Sequence, residues 1–334
     1  MDITVAVVTY DAAGCIQSCL DSLFNQEPHD GALEILVIDG CSKDGTQKIV
    51  RRFGDRVRLV ENEKQTIASN RNVAIREALY PYIAFTDADC VVPSTWLNSL
   101  SKAYKTILKK DINVVGVGGG NIAPSSGGSF DVALGLALNS FIGSLGSVQG
   151  KVYDRQQFVV SLACLNVLYK KAGLEAVGGF DEQLENMCED ADVNYRLKRN
   201  GLTLYFIPGA EVEHCARRNL LSWFKNMYAY GIGRGRLMCK HRTLFSRAYL
   251  MVLIFIPFLI AGSLIGIIWP YALIVWLYIP MTLCAGFALA YKKKPYLGLP
   301  VGLILLGTHF CYAMGLWRGL TIGYPKYLTS DDNG

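Results

Sequence analysis

Short apolar runs alternate with stretches of helical length through the first third of the chain. Ile3–Thr9, Leu33–Asp39, Val57–Glu61, Tyr82–Thr86 and Val114–Val117 have the length and near-continuous apolar character of buried strands. Between them lie segments around Cys15–Phe24, Gly45–Phe53, Ile67–Leu79 and Ser94–Leu108. Strand and helix in alternation predict a mainly parallel sheet with helices on both faces, an α/β fold.

The last third follows another pattern. Ala248–Trp269, Tyr271–Tyr291 and Leu297–Trp317 are long apolar runs, the last interrupted by His309. About 20 apolar residues cross a hydrocarbon core, so the first two are expected to span a membrane. The third either spans or dips in and returns. The chain of 334 residues has room for a large front domain with this appendage.

Charge sharpens the division. Between Glu213 and Asp331 there is no acidic residue but there are 13 of the 33 Lys and Arg residues, so residues 1–213 carry 20 basic against 26 acidic groups beneath a net charge of +5. Arg234, Arg236, Lys240, Arg242 and Arg247 precede the first apolar run, and Lys292–Lys294 follow the second. Both clusters are expected on the cytoplasmic side of the membrane, with the uncharged "IIWPY" turn on the far side. A third crossing would place Arg318 and Lys326 outside; a returning segment would keep them inside. The start "MDITVAVVTY" lacks a basic region and a cleavage site, so a cytoplasmic front domain on an integral cytoplasmic-membrane protein is expected. Ten cysteines without zinc spacing then read as reduced, small apolar residues.

In parallel sheets ligands bind beyond the carboxyl ends of the strands. Thr9, Tyr10 and Asp11, then Asp39, Glu61, and the pair Asp87 and Asp89 all fall at such ends. One carboxylate there is ordinary solvation of a strand end; a series points to a shared site.

Four ordered blocks carry a resemblance: "VAVVTYDAAGCIQSCLDSLFNQ", "EILVIDGCSKDGT", "ASNRNVAIREALYPYIAFTDADCVVPSTWL" and "VGGFDEQLENMCEDADVNYRLKRNG". Over about residues 2–240 the chain resembles the family 2 glycosyltransferases with the GT-A (Rossmann-like) fold. The resemblance implies that Asp39 contacts the nucleotide base, with Thr9, Tyr10 and Asp11 under base and ribose. Arg71 matches a basic position near the nucleotide, although a helix-surface arginine is the alternative. Asp87 and Asp89 match the family's D-x-D, Asp87 facing the ribose and both near a metal. The divalent cation implied, Mn²⁺ or Mg²⁺, suits oxygen ligands and a diphosphate. His214 matches a histidine that binds diphosphate or metal, with a core histidine as the alternative.

The same resemblance implies an acceptor-activating carboxylate in "CEDADVNYRL", with Asp190 as base and Glu189 as its acceptor-side neighbour; Asp192 follows. Acidic residues in a first helical turn also offset the helix dipole. The family's frequent second Asp after the base-contacting one is replaced by Gly40 and Cys41, which leaves the nucleotide open, while Asp44 fits its turn position. Gly118–Asn121 and "SLACLNVLY" around Asn166 are expected to shape the acceptor side.

The segment "WFKNMYAYGIGRGRLMCKHRTLFSR" is basic and aromatic, as expected of a surface lying on an anionic leaflet rather than of a nucleic-acid site. Arg234 and Arg236 are expected near the diphosphate or a lipid phosphate, with plain interfacial anchoring as the alternative. The Q-x-x-R-W motif of processive synthases is absent.

The expected organisation is a GT-A domain over 1–215, a basic neck over 216–247, transmembrane or re-entrant helices over 248–320 and a tail over 321–334. The expected activity is inverting transfer from a nucleotide sugar to a hydroxyl of a lipid-linked glycan. The alternatives are a synthase using polyprenyl phosphate itself as nucleophile, and a silent scaffold with the fold but no chemistry.

Overall fold

A computed structural model of the protein describes residues 1–122, 128–144, 153–214, 219–244 and 247–325. Lys326, named above, lies outside these residues. Strands β1 (Ile3–Thr9), β2 (Leu33–Asp39), β3 (Arg58–Glu61) and β4 (Tyr82–Asp87) are joined by helices α1 (Ile16–Phe24), α2 (Thr46–Arg51) and α3 (Ile67–Glu77). Then come the short β5 (Cys90–Val91), α4 (Trp96–Leu108), β6 (Val114–Gly118), β7 (Asn121–Ile122), α5 (Ser129–Leu138) and α6 (Phe141–Ser144). β8 (Gln157–Val159), β9 (Val167–Lys170), α7 (Lys171–Ala176), α8 (Glu189–Arg199), β10 (Thr203–Phe206) and β11 (Val212–His214) complete the front domain.

The main sheet has the order β3-β2-β1-β4-β9-β6-β10-β8. Its first four strands are parallel, as the alternation predicts, but β9 runs antiparallel to both β4 and β6, and β8 antiparallel to β10. Alternating side chains of β1 divide between two cores. Ile3, Val5 and Val7 pack with α1 and α4, while Ala6 and Val8 pack with α3, α7 and α8. A central strand covered on both faces needs apolar residues at nearly every position, which explains the unbroken run in β1.

The carboxyl ends of β1 and β4 lie side by side, Val8 opposite Asp87. A second sheet, β5-β11-β7, sits beside them; its antiparallel β5–β11 pair sets His214 opposite Cys90. Asn166, expected on the acceptor side, is instead fully buried. Its amide donates to the carbonyls of Gly120 (2.7 Å) and Ala210 (2.6 Å) and accepts from Trp96 Nε1 (2.8 Å). Gly118 and Gly119 permit that approach: a Cβ would lie 2.5 Å from the Asn166 carbonyl and 2.4 Å from that of Ala210. Asn166 thus serves as a packing joint between these segments.

The neck is one helix, α9 (Leu220–Lys240), started by a reciprocal Asn219–Ser222 cap, and α10 (Arg247–Ile268), α11 (Tyr278–Ala290) and α12 (Gly298–Ile322) follow. Three stretches, Tyr249–Ile268, Pro270–Ala290 and Pro295–Ile322, are long and apolar enough to cross a membrane. The third differs from the other two. Its apolar window is 44% buried within the protein, against 17% and 11%.

α12 runs parallel to α9: Trp223 Nε1 donates to Thr308 Oγ1 (2.9 Å), and further on Gly231 meets Tyr312 and Gly235 meets Leu316. Gly231 and Gly235 face Gly315 and Gly319, so the two backbones touch; a Cβ on Gly315 would lie 2.0 Å from the Tyr228 carbonyl. The first half of α12 also packs on α5 through Val301, Ile304, Leu305, Leu134 and Ala137. Beyond its end, Tyr324 donates to Asp181 of the front domain. The first half of α12 is therefore tied to α5, and the segment beyond its end to Asp181.

Candidate active site

Two carboxylate groups, one at the end of β4 and one at the start of α8, are brought together by a buried arginine. Arg71 lies in α3 with 3% of its surface exposed. One nitrogen donates to Asp87 Oδ1 (3.2 Å) and another to Glu189, and the guanidinium lies over the Phe180 ring at 5.6 Å. The helix-surface reading of Arg71 is thereby corrected. Its partners are 16 and 118 residues away in sequence, and no local spacing could have revealed the bridge.

At the end of β2, Asp39 is completely buried and bonded within its own loop. Its oxygens accept from the Ser42 amide (2.9 Å), the Ser42 hydroxyl (2.5 Å) and Gln47 Nε2 (2.7 Å). Asp11, in the left-handed region with φ 47°, accepts from the Lys43 amide (2.9 Å), which joins the loops after β1 and β2. Tyr10 beside it is half exposed. Thr9 and Thr86 at adjacent strand ends keep buried hydroxyl oxygens without partners among the described residues. Polar atoms of that kind are expected where a ligand completes the site.

Asp89 Oδ2 lies 3.1 Å from His214 Nε2, and Asp89, Cys90 and His214 group their ligand atoms within 4.8 Å. Burial, with Asp87 and Asp89 nearby, holds the Cys90 thiol well above its ordinary pKa. Asp89 and His214 offer a carboxylate oxygen and an imidazole nitrogen, donors that fit a cation such as Mn²⁺ and accommodate Mg²⁺ through the carboxylate. Burial likewise raises Asp87, with Arg71 pulling the other way.

Ahead of α8, Cys188 adopts the left-handed conformation (φ 61°) and turns the chain into the helix. Glu189 is 6% exposed; burial pushes its carboxyl up to about 7, against the pull of Arg71. Asp190, half-buried, accepts from the Ala191 amide at 2.6 Å. Asp192 is an anchor and not part of the reactive group. It is fully buried and accepts from Arg196 (2.7 Å), Lys240 (2.7 Å) and His241 (2.7 Å). Burial alone would raise its carboxyl, but the His241 hydrogen bond and the charges of Arg196 and Lys240 hold it at about 2. Asn194 completes the clamp by accepting from Tyr169 (2.5 Å) and donating to the Leu162 carbonyl (2.7 Å).

The two neck arginines part company. Arg236 donates to the Gln183 carbonyl (2.7 Å), a link within the protein. Arg234 lies over the Tyr249 ring at 5.1 Å and within hydrogen-bonding reach of the Tyr312 hydroxyl, beside Cys188.

The family described as Glycosyl transferase family group 2 matches residues 82–289, and Glycosyl transferase family 2 matches residues 4–122. The chain belongs to the family 2 glycosyltransferases. It is 27% identical over 296 residues to the succinoglycan biosynthesis protein ExoA of Rhizobium meliloti, covering 86% of this chain and 85% of that one. It is 24% identical over 332 residues to a Methanococcus voltae protein, covering 97% and 99%. The latter is named dolichyl N-acetyl-α-D-glucosaminyl phosphate 3-β-D-2,3-diacetamido-2,3-dideoxy-β-D-glucuronosyltransferase. Among solved structures, the mannosyltransferase PcManGT from Pyrobaculum calidifontis, in complex with GDP-Man and Mn²⁺, superposes with TM-score 0.59 at 20% identity, covering 95% of this chain and 87% of that one. The fold is GT-A, and the protein is a glycosyltransferase.

Proposed function

We propose that the protein is a membrane-attached inverting glycosyltransferase moving a sugar from a nucleotide-sugar donor to a hydroxyl of a lipid-linked glycan. The observation that carries this reading is the Arg71 bridge, which locks the D-x-D strand end to the helix that begins with Glu189 and Asp190. Glu189 is occupied by Arg71, so Asp190 is assigned the base. The names of the two relatives, one for succinoglycan biosynthesis and one for a transferase acting on a dolichyl phosphate-linked sugar, support a lipid-linked or polysaccharide acceptor.

In this mechanism Asp190 accepts the proton of the acceptor hydroxyl. The oxygen attacks the anomeric carbon on the face opposite the diphosphate, the old C–O bond breaks, and its electron pair stays on the departing phosphate oxygen. Asp89 and His214 would hold Mn²⁺ or Mg²⁺, whose charge offsets that of the leaving diphosphate. Thr9, Tyr10, Asp11 and Asp39 shape the nucleotide cleft; Asp39 does so by holding the Ser42 turn. A sugar hydroxyl needs a base, whereas a phosphate nucleophile is already ionised, and Asp190 favours the hydroxyl. α10 and the Pro270–Ala290 stretch would cross the membrane, with the catalytic domain on its cytoplasmic face.

The test is release of nucleoside diphosphate from a panel of nucleotide sugars by detergent-purified protein. Release that stops with chelator and with Asp89→Ala, and yields an inverted anomer on transfer, is the expected result. Release indifferent to both, or retention of configuration, would contradict the reading.

A further inference from the structure

One apolar helix belongs to the front domain rather than to the rear. α5 follows β7 in the chain, and its one charged residue, Asp131, accepts from the Gly128 amide (3.0 Å) at the helix's own start. From there to Lys151 no residue is charged, and from Val132 to Leu138 every residue is apolar. A helix without a polar face belongs in a core or in lipid. Core contacts cover one side: Ala133, Leu134 and Ala137 are buried, packed with Ala290, Val301 and Leu305. Just past α5, Phe141 is 76% exposed and Ile142 42%.

The backbone here is satisfied as it must be away from water. Ser140 Oγ donates to the Ala137 carbonyl (2.6 Å), and Ser144 Oγ to that of Ser140 (2.9 Å). His309 Nε2 donates to the Ile142 carbonyl (2.8 Å), while the Tyr278 hydroxyl bonds to His309 Nδ1. A carbonyl only accepts, so Nε2 carries the proton and the neutral ring takes the tyrosine's hydrogen at Nδ1. In water a carbonyl finds its own donor; in lipid an unmet one is costly. The histidine that interrupts the apolar run of α12 supplies that donor.

Continuity identifies the partner. α5 and α6 both pack on α12, and α5 also on α11, which itself exposes Met281 and Phe287. The apolar surface of the front domain therefore continues that of the membrane helices. At 10 residues α5 is about 15 Å long, half the thickness of a hydrocarbon core, so it enters one leaflet without crossing.

We propose that α5–α6 is a lipid-embedded part of the catalytic domain, with Phe141 and the outer face of α5 among acyl chains of the cytoplasmic leaflet. This rests on the membrane-attached reading above. β7, ahead of α5, pairs with β11, Ile122 beside Glu213, and β11 ends at His214. The embedded segment thereby keeps the sheet that carries His214 close to the bilayer, where a lipid-linked acceptor is presented.

The test places the photoreactive p-benzoylphenylalanine, one site at a time, in the full-length protein reconstituted into phosphatidylethanolamine and phosphatidylglycerol liposomes. The sites are Phe141, the exposed Phe258 of α10, and the exposed Ile112 at the amino end of β6, whereas α5 follows its carboxyl end. Ile142 is a second probe of the Phe141 surface if that variant folds poorly. After irradiation, mass spectrometry of the labelled peptide separates lipid adducts from protein adducts. Lipid adducts at the Phe141 site are expected to match those at Phe258 and to exceed those at Ile112 by about tenfold or more. Adducts at Phe258 with only the Ile112 level at Phe141 would overturn the insertion and leave the membrane-attached reading standing. Adducts at neither would overturn both, and a chain-to-chain crosslink at Phe141 would give the surface to a second copy and overturn the lipid assignment.

Discussion

Arg71 holds Asp87, 3.2 Å from its guanidinium, at the end of the strand that leads into the D-x-D pair, while its other arm grips the first residue of α8. One buried side chain thereby ties the end of β4 to the start of α8.

Removing it leaves the buried Glu189 and the half-buried Asp87 without their counter-charge. Arg71→Met is expected to destabilise the protein by about 3–5 kcal/mol, the usual consequence of removing one partner from a buried pair. Arg71→Lys should fold but lose most of its kcat, because an ammonium cannot span both carboxylates. Thermal unfolding and kcat measured on the two variants check this; wild-type kcat in Arg71→Lys would contradict the bridging role.

Asp192 makes acid stability predictable. Its folded carboxyl titrates at about 2, below an unfolded value of 3.8. A depressed carboxyl contributes stability above the unfolded pKa and loses it as pH falls through the folded one, here between about pH 5 and 2. Asp192→Asn should lower stability near neutrality by about 2 kcal/mol and flatten that acid limb. Unfolding temperature against pH for wild type and variant is the measurement.

The paired glycines of α9 and α12 leave no room for side chains. Gly315→Leu is expected to separate the helices and, through Lys240 and Gly233, loosen the loop ahead of Asp190, which lowers both unfolding temperature and kcat. An unchanged unfolding temperature would show that the contact contributes nothing.

The third apolar helix is predicted not to cross the membrane. Lys292–Lys294 precede it and Arg318 lies near its end, so positive charge marks both ends as one side. The contacts with α5 and Asp181 agree. A protease-accessible tag after Gly334 should be cleaved from the same side as the catalytic domain, and one at the Trp269–Pro270 turn from the other.

The sequence pattern located β1 and β2 to the residue and β4 and β6 to within one, because strands covered on both faces must be apolar throughout. It did not reveal β8, β9 and β10, which are only three or four residues long and owe their place to partners distant in sequence. The D-x-D pair and the Glu189–Asp190 pair were visible as motifs. Their coupling was not, since Arg71 and Glu189 are 118 residues apart and helix periodicity alone presents Arg71 to solvent or interior equally well. The glycine seam of α9 and α12 was not read from the sequence, because Gly231 and Gly235 meet Gly315 and Gly319, 84 positions further along the chain, only through folding.

The central claim, a hydroxyl acceptor activated by Asp190, is tested most directly by offering purified wild type and Asp190→Asn a lipid phosphate-linked sugar and bare polyprenyl phosphate with the active nucleotide sugar. Transfer onto the lipid-linked sugar, reduced by about 10²–10⁴-fold in Asp190→Asn, is the predicted result. Transfer onto bare polyprenyl phosphate that survives the substitution would contradict it.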